Sequence, residues 1–127
     1  MAQEEYELLK ELLLKDLCAR LSYGVKILDI PANAVGKLFL ISTTGTVQYE
    51  TADDTRIQTL YNIKPYLLPL SSMTEEQERE YNNLNCYELG CFPHSEEALD
   101  YLTKNYFDYR GLIEKGLAIN ATGLNIY

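Results

Sequence analysis

The sequence predicts an α+β fold in which one N-terminal helix packs on a small antiparallel sheet of three to four strands. An SH3-like sheet is one form of that prediction, and two further helices belong to the C-terminal half. Three observations carry it. Leucines recur at helical spacing in the first twenty residues. Alternating β-branched runs separated by turn residues follow, from Val25 to Thr51. Capped, acidic helix starts then appear at Thr74 and Ser95. The chain has 127 residues, the length of a single domain (1–127), and 46% of them are hydrophobic, enough to build a core.

The helix runs over roughly Glu4 to Leu21. Tyr6, Leu9, Leu13 and Leu17 form one row and Leu8 and Leu12 another, with Leu14, Cys18 and Leu21 widening the apolar face. So broad a face is expected either to lie across a sheet or to be shared with a second subunit. Ser22-Tyr23-Gly24 ends the helix. Val25–Ile30 reads as a strand, Pro31–Gly36 as a loop, and Lys37–Ser42 and Thr46–Thr51 as a hairpin turning at Thr43-Thr44-Gly45. Arg56–Ile63 fits a strand or a short helix. Lys64–Leu70 is extended, because each proline biases its predecessor away from helix; its prolines are too far apart for a PxxP ligand, so an apolar strap across the core is expected. Thr74-Glu75-Glu76-Gln77 is a capping box opening a polar helix to about Leu84. Cys86–Phe92 fits a short strand. Ser95 opens a last helix whose stripe is Ala98, Leu99, Leu102 and Tyr106, Gly111 and Gly116 bracket one more helical turn, and the tail from Ile119 to Tyr127 has no period.

Nineteen acidic residues against eleven basic ones give a net charge of −8. Between Thr74 and Asp100 lie eight of those acids and a single base, Arg79, so nearly all the excess sits in one segment. Such a surface repels nucleic-acid backbone and anionic lipid, and no direct nucleic-acid or membrane binding is expected. The acidic, interrupted start does not read as a signal peptide, no apolar run is long enough to span a membrane, and three cysteines suggest no disulfide framework. A cytoplasmic protein is expected.

Readable chemistry is sparse. Cys86, Cys91 and His94, with Cys18 as a conceivable fourth ligand, are the only metal-like set, but their spacing does not match paired zinc knuckles. His94 is the single histidine, so any Cys–His or Ser–His–Asp arrangement would have to use it. The carboxylates of residues 75 to 80 would stay solvated on a polar helix, where acid–base work needs burial. No glycine-rich phosphate loop is present. No catalytic, metal or cofactor-binding residue is therefore assigned, and the expectation is a non-enzyme. Eleven tyrosines without a tryptophan suit contact surfaces. Candidate partner-binding residues are Tyr106, Asp108, Tyr109 and Arg110, where Asp108 and Arg110 form either an ion pair that fixes the turn or a recognition point beside Tyr109. The acids Glu75, Glu76, Glu78 and Glu80 are the other candidates.

Three ordered segments, 15–26 (KDLCARLSYGVK), 63–74 (IKPYLLPLSSMT) and 107–118 (FDYRGLIEKGLA), resemble a set of uncharacterised short proteins of gut Bacteroidales, their phages and their mobile elements. This chain departs from that set at Ser22, where proline is frequent, and at Leu68, where arginine is. The resemblance implies a phage or mobile-element setting and an accessory or regulatory role; it implies no activity. The expected function is a non-catalytic protein-binding module acting on a protein partner or on copies of itself. The alternatives are an acidic counter-defence inhibitor that occupies a basic nucleic-acid-binding groove, and a small Cys/His metal protein or cysteine enzyme.

Overall fold

The structure is a computed structural model describing residues 3–84 and 96–127. Helix α1 (Gln3–Arg20) is followed by a single 3₁₀ turn (Leu21–Tyr23). Gly24 closes that turn at φ +70°, a left-handed conformation in which a Cβ would also meet the Lys37 side chain at 2.6 Å. Strands β1 (Lys26–Asp29), β2 (Ala34–Ile41), β3 (Thr46–Glu50) and β4 (Thr55–Thr59) form an antiparallel meander. A second 3₁₀ turn (Leu60–Asn62) leads into β5 (Ile63–Leu67), which returns beside β1. This is an SH3-like connectivity for the first five strands. A third 3₁₀ turn (Leu70–Ser72), helix α2 (Glu75–Leu84), helix α3 (Glu96–Lys104) and strand β6 (Ile119–Asn120) complete the described chain. The sheet order is β4-β3-β2-β1-β5-β6, antiparallel except for the β5–β6 pair.

The predicted α+β class holds, with more strands than expected. The ambiguous stretch 56–63 divides into most of β4, the 3₁₀ turn and the start of β5. The proline strap is itself a strand: Pro65 sits opposite Ile27, Lys64 and Ile63 pair with Leu28 and Asp29 of β1, and Tyr66 pairs with Ile119. β6 comes from the aperiodic tail, and two residues are too few to show a period. The loop expected at Pro31–Gly36 is shorter, because Ala34, Val35 and Gly36 already pair with β1. The helical turn expected at 111–116 is present as a hydrogen-bonded turn rather than a named helix, with Lys115 N–H donating to Gly111 O. The possible strand at 86–92 lies outside the described residues.

Helix α1 lies across one face of the sheet. Leu13 and Leu17 pack with Val25, Ile27, Leu38 and Val47, joined by Leu60, Ile63 and Leu67. The leucine row therefore does what its spacing predicts. The wider face does not: Leu8 is 65% exposed and Cys18 is also exposed. A second cluster, Tyr101, Leu102 and Phe107, binds α3 to α2 through Tyr81 and Leu84. Leu68 and Phe107 form a bridge in which Leu68 N–H donates to Tyr106 O and Asp108 N–H to Leu68 O, both at 2.8 Å. That bridge stitches the C-terminal half onto the end of β5.

Candidate functional site

The C-terminal motif turns inward. Asp108, 8% exposed, accepts from the backbone N–H groups of Leu112 and Ile113 at 2.9 Å each. It caps the turn at 111–115 in the way a side chain caps a helix. Asp108 and Arg110 do not pair with each other. Arg110 instead reaches Asp16 on α1 at 2.6 Å. Asp16 is fully buried and also accepts from Arg20, one helical turn on, at 2.9 Å. Arg20 is fully buried too; its other nitrogens donate to the carbonyls of Thr103, at 3.2 Å, and Phe107, at 2.5 Å. Tyr109 lies against both guanidinium groups, 4.5 Å from Arg110 and 5.6 Å from Arg20. Each charge of the buried pair thus faces an opposite charge, and each nitrogen of Arg20 donates a hydrogen bond, which is how an ion pair is tolerated out of water.

Tyr106 has φ +66°, an uncommon conformation for a bulky residue. There its hydroxyl donates to Tyr23 O and its ring stacks on Tyr127 at 3.7 Å. The Tyr127 hydroxyl in turn accepts from Lys26 N–H and donates to Tyr66 O; burial of that phenol end pushes its pKa well up. Three of the four residues, Tyr106, Tyr109 and Arg110, remain half-buried, with side chains committed to intramolecular contacts.

The acidic candidates Glu75, Glu76, Glu78 and Glu80 all lie on α2 and are all exposed. The capping box forms as predicted, with Gln77 N–H donating to Thr74 Oγ1 and Thr74 N–H to Gln77 Oε1. Glu80 accepts from the Tyr101 hydroxyl at 2.9 Å, and burial together with that carboxylate raises the phenol to about 12. Cys86, Cys91 and His94 lie outside the described residues. Among the described residues no group of three His, Cys, Asp or Glu side chains is placed to hold a metal ion, and no helix is long and apolar enough to cross a membrane.

At the other end of the sheet Asp29, 3% exposed, accepts from the Tyr49 hydroxyl at 2.6 Å, the Gln58 amide at 3.0 Å and Ala32 N–H at 3.3 Å. Burial alone would raise its pKa. The hydrogen bonds outweigh that and hold the carboxyl below its ordinary value, while burial and the carboxylate raise Tyr49. The ring of Tyr49 crosses Gly36, where a Cβ would stand 2.4 Å from Tyr49 Cδ2 and 2.6 Å from Glu50 O.

Two surfaces emerge that the sequence does not announce. The first is the free edge of the sheet at β4. Bonds from Thr51 N–H to Asp54 O and from Leu60 N–H to Gly45 O bracket the β3–β4 ladder. In that register Arg56 and Gln58 exchange backbone bonds with β3, and the backbone groups of Thr55, Ile57 and Thr59 point away from the sheet. Thr59 N–H is taken by its neighbour's side chain; no described strand pairs with Thr55 or Ile57 on that side. Ile57 is 66% exposed, and on the same solvent face Leu40, across Gln48, is 39% exposed. An irregularity at Leu38/Leu40 leaves Phe39 exposed as well.

The second is an apolar pocket of about 250 Å³ between α1, the start of β5 and the turn at 115–117. Buried Leu13, Leu60 and Ile63 line it together with the half-buried Leu9 and Leu117, and Lys10, Lys64 and Lys115 stand around them. Lys10 Nζ lies 4.4 Å over the ring of Tyr61. The three lysines are more than fifty residues apart in sequence, so no local pattern could have joined them. Ile57 was hidden differently, within a stretch whose helix and strand signals are balanced. Searches of protein-family models, of curated proteins and of solved structures return no match to this chain.

Proposed function

We propose that this protein is a non-catalytic binding module that takes an extended segment of a partner protein onto the free edge of β4. One observation carries the reading. The outward backbone groups of Thr55 and Ile57 have no partner strand among the described residues, and the adjoining face offers exposed Ile57 and Leu40. An open edge is a template for another strand, and proteins without a use for one commonly block it. Strand addition draws affinity from main-chain bonds and specificity from alternate side chains. Arg56, the charge on this strand, is engaged by Asp54 at 3.2 Å and leaves the apolar face clear. The resemblance to proteins of Bacteroidales phages and mobile elements supports an accessory role.

Ile57→Pro tests the reading. It removes an outward N–H and leaves the β3 ladder its bonds. The expected result is a host protein captured by the wild type and lost with Ile57→Pro, with the Thr55 and Ile57 amides protected from hydrogen exchange in the complex. Capture indifferent to Ile57→Pro, or protection confined to another face, overturns it. If charge reversal of Glu75, Glu76 and Glu78 alone abolished capture, the acidic-inhibitor reading would replace it.

A further inference from the structure

We infer that the pocket between α1, β5 and the 115–117 turn binds a small aliphatic anion, its tail on Leu13, Leu60 and Ile63 and its charged head among Lys10, Lys64 and Lys115. The floor is hydrocarbon: these three residues are no more than 5% exposed as a whole, yet part of each faces the cavity. A volume near 250 Å³ lies just under the roughly 300–1,000 Å³ range of small-molecule sites, which suits a ligand of modest size.

The charge around it selects the head group. The protein as a whole is strongly acidic, yet no carboxylate side chain lines this pocket. None of the three lysines forms an ion pair among the described residues, although acidic residues outnumber basic ones in the chain. Acids farther than a Debye length of about 8 Å at physiological salt are screened, and although Glu7, Glu11 and Glu114 adjoin Lys10 and Lys115 along the chain, none of them lines the cavity. Lysine acts as a point charge and accepts a carboxylate or a phosphate head alike. Apart from the three lysines and Tyr61, every side chain that lines the cavity is apolar. A neutral ligand would gain nothing from the ammonium groups, and a cation would meet repulsion. This site is separate from the β4 edge and stands or falls independently of it.

The test is a titration of the intact protein with sodium octanoate below its micellar concentration, followed by calorimetry and by methyl NMR. Octyl phosphate, n-octanol, octylammonium and the peptide acetyl-Glu-Leu-Leu-Glu-amide serve as comparison ligands. Saturable binding of octanoate or octyl phosphate at one site, with shifts at the methyls of Leu13, Leu60 and Ile63, is expected; which of the two binds more tightly identifies the head. The double variant Lys64→Gln/Lys115→Gln, at one half-buried and one exposed position, should fold normally and bind about fivefold more weakly, the sum of two partly exposed ion pairs. Octanol or octylammonium binding as tightly as octanoate, shifts located elsewhere, no saturable binding, or tighter binding of the peptide would each overturn the inference.

Discussion

Asp16 lies between two guanidinium groups beneath the C-terminal half, whereas Asp29, at the end of β1, is met by a phenol, an amide and a backbone N–H. Both are sealed from solvent, at 0% and 3% exposure. The first is compensated by opposite charge, the second by neutral donors. Each half of the molecule is brittle in its own way. A charge pair fails when either member goes, because the survivor is left ionised in a poor solvent. A carboxylate held by several dipoles loses one bond at a time.

Arg20→Leu should be the most damaging substitution. It strands Asp16 with Arg110 alone and frees the carbonyls of Thr103 and Phe107. A loss of about 4 kcal/mol in urea unfolding is expected, within the range for a broken buried pair. The double variant Asp16→Leu/Arg20→Leu should lose less than Arg20→Leu by itself; an equal or greater loss would show that packing rather than charge is at stake. Next in size is Gly36→Ala on the Asp29 side. Its methyl group would drive into the Tyr49 ring and a backbone carbonyl, costing about 3 kcal/mol.

Tyr49→Phe should cost about 2 kcal/mol, one hydrogen bond to a charged acceptor. It carries a pH signature. The folded carboxyl of Asp29 titrates below its ordinary 3.8, so its contribution to stability is present above that pH and fades as the pH falls through the folded value. Without the phenol the folded pKa moves back up, and the drop in urea midpoint between pH 5 and pH 2 should be shallower than in the wild type. A steeper drop would sink the assignment. The smallest effect is reserved for an exposed polar pair: Thr74→Ala opens the capping box of α2 and should cost about 1 kcal/mol by thermal unfolding.

The same contrast explains what could be read in advance. The Leu9, Leu13, Leu17 row, the β2–β3 hairpin and the Thr74–Gln77 box are local patterns, and each forms as its spacing predicts. Asp16 and Arg20 are local as well, but an i, i+4 acid–base pair on a helix ordinarily sits in water, and nothing nearby reveals that residues 103 to 110 will cover it. Of the two expectations for Asp108 and Arg110, the ion pair does not form, because Asp108 caps backbone N–H groups four and five residues further on and Arg110 reaches a helix at the far end of the chain. Pro65 disguised a strand, since proline lacks the N–H that a ladder uses. The pocket lysines come together only once distant segments meet, whereas the β4 edge lies in a stretch whose helix and strand signals are balanced.

The bonds from Arg20 to Thr103 and Phe107 span 83 and 87 residues. During synthesis the first helix therefore emerges with a guanidinium whose final acceptors have not yet been made. Until they arrive, that side chain must stay hydrated, and α1 cannot settle fully on the sheet. Contacts of such sequence separation slow folding, so the nascent chain should remain open to chaperones and proteases until translation has passed the last of these acceptors.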